Sequence, residues 1–291
     1  MLQGYPSKRC LLDGCGKAYV RLWKGKYMPL SDTARQAIYD LFLDCSVRTL
    51  SRVEEKIGQQ NNESQPFHEA LIPREIIIPA KFERSWSTSF GQKTVERIAR
   101  LVVEDFGGVA EGQHVENMQI DSGTLQGIEL YREQARSNQL KLGWEETIRY
   151  IDDNSVLSGE TVPIAVNSDL FFTRQGFNSY FSLKTVKPNI DQTMEAKLDL
   201  LRLYYGRRND SDRLGFGLWY NPYGDGESYA WSQAFSVFEM NTDSVVYIGS
   251  SFWNELGDGE TYDELIGIAS SVGETSLEMI EEMITEWIEE D

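Results

Sequence analysis

The sequence predicts an α/β protein: a mixed β-sheet core flanked by helices, with a helical N-terminal part. Three observations lead there. Apolar residues recur at helical spacing through the first half of the chain. After Gly159 come short β-branched and aromatic stretches broken by Gln175-Gly176. A helix-period segment then alternates with two further strand-like stretches, the pattern of helices packed around a sheet.

Thr33 to Ile57 places Ala34, Ala37, Ile38, Leu41, Phe42, Leu50, Val53 and Ile57 mostly on one helical face, with Ser31 or Asp32 as cap. Gln59 to Gln65 is polar and reads as an exposed loop. Ser87 to Ser89 precede a second predicted helix that buries Val95, Ile98, Ala99, Val102 and Phe106 and stops at Gly107-Gly108. Helical stretches follow from about Thr124 to Leu142 and from Trp144 to Ile151. Val162 to Thr173 and Asn178 to Val186 form a predicted hairpin about Gln175-Gly176. Gln192 to Tyr205 returns to helical spacing, Leu214 to Tyr220 and Ser244 to Ile248 read as strands, and Thr275 to Glu290 closes the chain as a helix with one face almost wholly Glu. The expected organisation is a helical region over 1–80, a sheet-containing core over 81–265, and an acidic helix packed on it over 266–291.

Composition narrows the function classes. No run of eighteen apolar residues is present, so no membrane span is expected. The first ten residues lack a signal-peptide pattern, and the cysteine count is odd (Cys10, Cys15, Cys45), which together suggest a reducing cytoplasm. Cys10 and Cys15 lack the further ligands of a zinc site and read as free thiols. The net charge of −18 argues at first against a polyanionic partner, but it is unevenly placed. All 28 Lys and Arg lie between Lys8 and Arg213, while the residues after Arg213 carry 17 acids and no base. The first 213 residues hold 29 acids against those 28 bases and are nearly neutral, so charge permits nucleic-acid binding without predicting it.

The chemistry is concentrated around the predicted hairpin. Asp169 sits in its first strand among Ile164, Val166 and Phe171, where a carboxylate is costly unless a cation or donor meets it. Lys184 lies toward the end of the second strand, and Glu195 begins the next helix, eleven residues on. Two acids and a lysine converging at a sheet edge suit Mg²⁺, which takes hard oxygen ligands and keeps several waters. Phosphodiester hydrolysis needs this set: a metal to acidify water and neutralise phosphate charge, and a cation to steady the transition state. An ordinary Asp–Lys ion pair across a hairpin would use the same two residues. Only His68 and His114 are present, neither in a metal-ligand spacing, and Gly224-Asp225-Gly226 lacks the lysine and helix of a P-loop. Lys187, Asn189, Arg207 and Arg208 are candidates for phosphate or base contacts, against a default of solvated surface. Trp219, Tyr220, Tyr223, Tyr229 and Trp231 suit stacking or a dimer contact, against a default of core packing.

Asp169 followed by Ser182-Leu183-Lys184, with Ser168 at the proline position, resembles the PD-(D/E)XK nuclease motif. The string Leu183-Lys184-Thr185-Val186-Lys187-Pro188-Asn189 is similar to the signature of the TdeIII family of type II restriction endonucleases. So are Ser87-Thr88-Ser89-Phe90-Gly91-Gln92 leading to Glu96, and Ile248-Gly249 with Phe252-Trp253 and Thr261-Tyr262-Asp263-Glu264-Leu265. This resemblance, over roughly Trp86 to Leu265, implies a PD-(D/E)XK core and Mg²⁺-dependent, sequence-specific cutting of double-stranded DNA at a short palindrome of the GGNCC kind. It also implies that Glu96 completes the metal site's outer shell. Ser182 occupies a position that is acidic in the motif. Several nucleases of the superfamily draw that carboxylate from the following helix instead, where Glu195 is placed for it and Asp191 competes. A homodimer matches a palindrome naturally, with the Thr33 to Ile57 helix and the Trp219 to Trp231 stretch as candidate contacts and the acidic last helix facing away from the duplex. Two other readings remain: a DNA-repair nuclease of the same fold, and a catalytically inactive acidic interaction module.

Overall fold

The computed structural model describes residues 28–58, 66–137, 139–209 and 211–289. Cys10, Cys15 and the expected 59–65 loop lie outside them; Cys45 is a buried free thiol.

Helix α1 (Asp32–Gly58) begins as its sequence suggests, with the Ser31 hydroxyl accepting from the Ala34 N–H at 3.2 Å. A short α2 (Pro66–Leu71) leads to α3 (Arg74–Ser89), which runs through a π turn (Phe90–Thr94) into α4 (Val95–Asp105). Ser87 to Ser89 therefore lie inside a helix and do not precede one. Their polar groups are satisfied there: Ser87 Oγ donates to Glu83 Oε1 at 2.7 Å, and Thr88 Oγ1 to the Arg84 carbonyl at 2.8 Å. Strand β1 (Val109–Asp121) follows, then α5 (Ser122–Arg136) and α6 (Trp144–Asn154). The α5 helix stops short of the expected Leu142. The hairpin of β2 (Thr161–Arg174) and β3 (Phe177–Lys184) turns at Gln175 and Gly176, with φ of 54° and 84°. That left-handed pair matches the twist of the strands, and Gly176 adopts its φ without a Cβ penalty.

The remaining elements are α7 (Ile190–Arg207), β4 (Arg213–Leu218), a 3₁₀ turn (Ala234–Ser236), β5 (Val246–Ile248), α8 (Ser250–Leu256) and α9 (Thr261–Glu289). The last helix starts fourteen residues before the expected Thr275 and so crosses the 265/266 boundary drawn from sequence. Gly267, Ser270, Ser271 and Gly273 dilute its hydrophobic period, but the serine hydroxyls bond back to carbonyls one turn earlier. No helix among the described residues is long and apolar enough to cross a membrane.

The sheet has the order β1-β2-β3-β4-β5, antiparallel across the first three strands and parallel thereafter. It is the mixed α/β sheet that the sequence predicts. One face packs Phe171, Tyr180, Phe216 and Leu218 against α5, α6 and α7. The other packs Leu170, Phe172 and Phe181 against α1, α4 and α8. Each such ring or branched side chain, once buried, contributes roughly 1.5–3 kcal/mol, and a one-residue slip would turn them all to the wrong faces. Packing therefore fixes the register more firmly than any surface ion pair, worth about 0–1 kcal/mol.

Helix α7 is held over the sheet by Lys197, which is completely buried. Its ammonium donates to the carbonyls of Leu142 (2.7 Å), Val237 (2.6 Å) and Gly143 (3.4 Å), although burial pulls its pKa down to about 7. At the other side, Glu264 ties α9 to α1 by accepting from Arg35 Nε (3.0 Å) and the Leu30 N–H (3.1 Å). The 3.1 Å and 3.0 Å contacts are partly buried, so this tie exceeds an ordinary surface pair.

Candidate active site

Asp169 and Lys184 meet where the β2/β3 ladder ends. The last paired residues are Leu170 and Phe181. Beyond them the Asp169 carboxylate takes over as acceptor: its Oδ2 receives the Leu183 N–H at 2.7 Å, Lys184 Nζ at 3.1 Å and Ser182 Oγ at 3.4 Å. Lys184 and Asp169 side chains are 23% and 27% exposed, so the pair is shielded yet reachable. Past this point β3 continues only with β4, through Ser182–Phe216, Leu183–Gly217 and Lys184–Leu218.

The strand itself changes face here. Strict alternation would put Ile164 and Val166 on the same side as Leu170, yet they pack with the α5–α7 cluster while Leu170 packs with α1, α4 and α8. The switch brackets Asp169. Across the sheet the β1/β2 register passes from Gly112–Leu170 to His114–Ser168 without an inserted residue, but the pair between them is missing. Gln113 stands at that gap with φ 54°. Its side-chain nitrogen donates to Asp169 Oδ1 at 3.3 Å and to Glu96 Oε2 at 3.0 Å.

Glu96 thus reaches the site from the first turn of α4, and it can do so because residue 112 is glycine. A methyl group at Gly112 would overlap the Glu96 carboxylate. The overlapped atoms are the far end of a flexible side chain, so Gly112→Ala should leave the thermal midpoint nearly unchanged while displacing Glu96. The expected result is a fall in cleavage rate of about ten- to a hundredfold, read by initial rates beside a melting curve; an unaffected rate would mean that Glu96 does not act from this position.

Helix α7 supplies further acids. Glu195 is exposed and lies 3.7 Å from Arg202. Asp199, one turn on, is half-buried and bonds Arg202 at 2.7 Å. Burial raises the Asp199 carboxyl, with Arg202 and then Lys184 pulling the other way, so Asp199 feels the charge of the motif lysine. Asp191 is turned outward at 3.8 Å from Arg136. The structure joins Asp169, Lys184 and Glu96 in one hydrogen-bonded chain through Gln113, and places Glu195 in a separate pair with Arg202. Among the described residues no three His, Cys, Asp or Glu side chains form a ready-made metal cage.

The residues after the motif lysine fix a turn. The Val186 carbonyl accepts from Tyr229 Oη at 2.8 Å and the Pro188 carbonyl from Trp231 Nε1 at 2.9 Å. Asn189 caps α7, accepting the Gln192 N–H at 2.8 Å. Lys187 is exposed, its ammonium 5.6 Å from the Trp231 ring and 5.8 Å from Tyr223. Much of the aromatic stretch is therefore occupied within the chain. Arg207 is engaged by Glu116 at 3.1 Å and Asp212 at 2.9 Å, whereas Arg208 is exposed at the end of α7. Burial alone would raise Glu116, but the Tyr180 hydroxyl, Arg207 and His114 bring it below its usual range.

Residues 37–273 match the family described as Type II restriction endonuclease, HinfI. The chain belongs to this family. The enzyme is 31% identical over 215 residues to the type II restriction enzyme HgiCII of Herpetosiphon aurantiacus, covering 72% of this chain and 77% of that protein. It is 29% identical over 228 residues to the type II restriction enzyme HgiBI of the same organism, covering 74% and 79%. As a type II restriction endonuclease it is a site-specific deoxyribonuclease, and the matched span contains the entire Glu96–Gln113–Asp169–Lys184 chain.

Gln113 and Asp199 escaped the sequence reading. Gln113 lies on strand β1, which from Val109 to Asn117 alternates only between exposed and half-buried residues, so its period carries little hydrophobic contrast. Asp199 had a signal, since it lies one helical turn after Glu195 on the same face.

Proposed function

We propose that this restriction endonuclease hydrolyses double-stranded DNA with Mg²⁺ at the fork of β2 and β3, using Asp169, Lys184 and Glu96. One observation carries the reading: the Leu183 N–H and the Lys184 ammonium converge on one oxygen of Asp169 just where strand pairing stops. That leaves Asp169 Oδ1 and the Glu96 carboxylate on the Gln113 side. Two carboxylates on a common donor are hard oxygens of the kind Mg²⁺ takes, so the residues fit the ion. When bound there, Mg²⁺ would lower the pKa of a water and neutralise charge on the phosphate.

The protein's own part follows from the contacts. Asp169, fixed by three donors on Oδ2, presents Oδ1 without side-chain reorganisation. Lys184 holds its ammonium beside that carboxylate, placed to orient the attacking water or to stabilise the phosphate oxygens. Glu195 is the acid that α7 offers in place of Ser182, with the half-buried Asp199, which feels the Lys184 charge, one turn on. Glu195→Gln is expected to raise the Mg²⁺ concentration needed for half-maximal cutting several-fold, whereas Ser182→Ala should be mild. A magnesium titration of both decides it; a silent Glu195→Gln beside a damaging Asp199→Asn would move the role to Asp199.

Lys187 and Arg208, at the end of β3 and the end of α7, serve as phosphate or base contacts; Asn189 caps α7 and can offer only its side-chain nitrogen, and Arg207 contributes by holding Glu116 and Asp212 in place. The finer likeness to the TdeIII family supports a short palindromic target of the GGNCC kind, and the palindrome a homodimer; the odd cysteine count fits a reducing cytoplasm. Light scattering at micromolar protein, with and without target duplex, should give twice the chain mass; a strict monomer in both would count against the dimer. Digestion of mixed-sequence DNA with Mg²⁺, followed by sequencing of the ends, tests the function. Discrete ends at one short sequence are expected, and random ends would contradict it.

A further inference from the structure

The Gln113 side chain occupies the space between the two acids assigned to the metal. Its nitrogen lies 3.0 Å from Glu96 Oε2 and 3.3 Å from Asp169 Oδ1, so its two N–H groups meet both carboxylates as a cation would. On its far side the Gln113 oxygen accepts from Asn167 Nδ2 at 2.8 Å. A metal ion could not share that space with an N–H donor. A carboxamide, however, exchanges nitrogen for oxygen by a half-turn, with almost no change of shape.

The half-turn has a ready partner. If Gln113 presents its nitrogen to Asn167, the Asn167 amide must turn as well, and the turned Asn167 is well satisfied. Its nitrogen then donates to the main-chain carbonyls of Gln113 (3.1 Å) and His114 (3.2 Å), while its oxygen accepts from Gln113 at 2.8 Å. Unturned, the Asn167 oxygen faces those same two carbonyls without a donor; turned, Asn167 is satisfied, and the Gln113 oxygen then faces Glu96 and Asp169, an arrangement of oxygens that calls for a cation. The left-handed backbone of Gln113, uncommon for a residue with a side chain, keeps the amide opposite Asp169.

We propose that Gln113 is a metal ligand of this enzyme, its amide turning together with Asn167 so that a side-chain oxygen joins Glu96 and Asp169 around the cation. The proposal rests on the Asp169–Glu96 site described above and deepens it. With Ser182 where the motif has an acid, the turned Gln113 adds an oxygen to those of Glu96, Asp169 and the α7 acid. These protein oxygens still leave room for waters that Mg²⁺ retains. In the metal-free chain the same amide screens the two carboxylates from each other.

The test is Mn²⁺ titration of the full-length protein without DNA, following free Mn²⁺ by its electron paramagnetic resonance signal. Gln113→Leu should weaken Mn²⁺ binding about tenfold or more, and Gln113→Glu, which fixes an oxygen there, should bind at least as tightly as wild type. Leucine binding within twofold of wild type, or glutamate binding more weakly, would overturn the proposal. If the leucine variant does not fold, the glutamate variant decides alone. Asp169→Asn separates the two levels. Lost binding there with unchanged binding in Gln113→Leu refutes the ligand role of Gln113 only. Unchanged binding in Asp169→Asn refutes the site itself, and the ligand role with it.

Discussion

Asp169→Asn is expected to reduce cleavage by at least about a thousandfold, roughly 4 kcal/mol of lost transition-state stabilisation. Asparagine keeps the shape, and its side-chain oxygen can still accept the Leu183 N–H that Asp169 holds at 2.7 Å. What disappears is the negative charge facing Glu96 across Gln113, and with it a hard ligand for the cation. The fold should barely notice. The pair with Lys184 is about a quarter exposed on each side, and the asparagine oxygen can still accept from the ammonium, so only part of the pair's contribution is lost. Binding to target duplex should also persist, because affinity comes largely from phosphate contacts elsewhere. Single-turnover cleavage and filter binding on one preparation check both halves; cutting at near wild-type rate would remove Asp169 from the centre.

Lys184→Met should cost about a hundred- to a thousandfold, roughly 2.7–4 kcal/mol, the range for removing one pre-positioned cationic or hydrogen-bonding group from a transition state. Methionine keeps the apolar stem of Lys184 while losing the ammonium. Asp169 remains held by Leu183, Ser182 and Gln113, so the metal-binding side of the site should survive. The two variants therefore differ in a measurable way. Mn²⁺ affinity should collapse in Asp169→Asn and stay close to wild type in Lys184→Met, with cleavage abolished or nearly so in both. Equal loss of metal in both would mean that the lysine acts by organising Asp169, not on the reacting phosphate.

The hairpin was legible because two kinds of local information agree there. Alternating β-branched and aromatic residues gave the strands, and Gln175-Gly176 gave the turn, so Asp169 and Lys184 could be placed on neighbouring strands from spacing alone. The α1 start at Ser31 was legible for the same reason, a cap followed by a clean apolar period. Strand β1 was not, since Glu111, Gln113, His114, Glu116 and Asn117 break its hydrophobic contrast. Those residues lie on the edge strand of the sheet, exposed or half-buried, where polar side chains keep their water. Gln113 bridges the acids, and His114 stacks on Phe171 with ring centroids 4.1 Å apart. Glu116 receives the Tyr180 hydroxyl at 2.8 Å. Edge position and exposure thus blur the pattern that would have revealed the element. The Lys187-Pro188-Asn189 segment shows the converse. It stood out as family likeness, and the contacts of Pro188 and Asn189 account for it as architecture, a turn pinned by Trp231 and a cap on α7. Glu195 is intermediate: its helix and its place one turn into that helix were legible, but its pairing with Arg202 depends on side-chain directions that spacing does not carry.

The most direct test of the site is metal-directed cleavage of the polypeptide itself. With Fe²⁺ replacing Mg²⁺, and ascorbate and peroxide added, hydroxyl radicals cut the chain next to the bound ion, and mass spectrometry of the fragments maps it. Cuts clustered near Glu96, Gly112-Gln113, Asp169 and Ser182–Lys184, and suppressed by excess Mg²⁺, are the predicted result. Mg²⁺-suppressible cuts confined to other segments would contradict a metal site at the fork of β2 and β3.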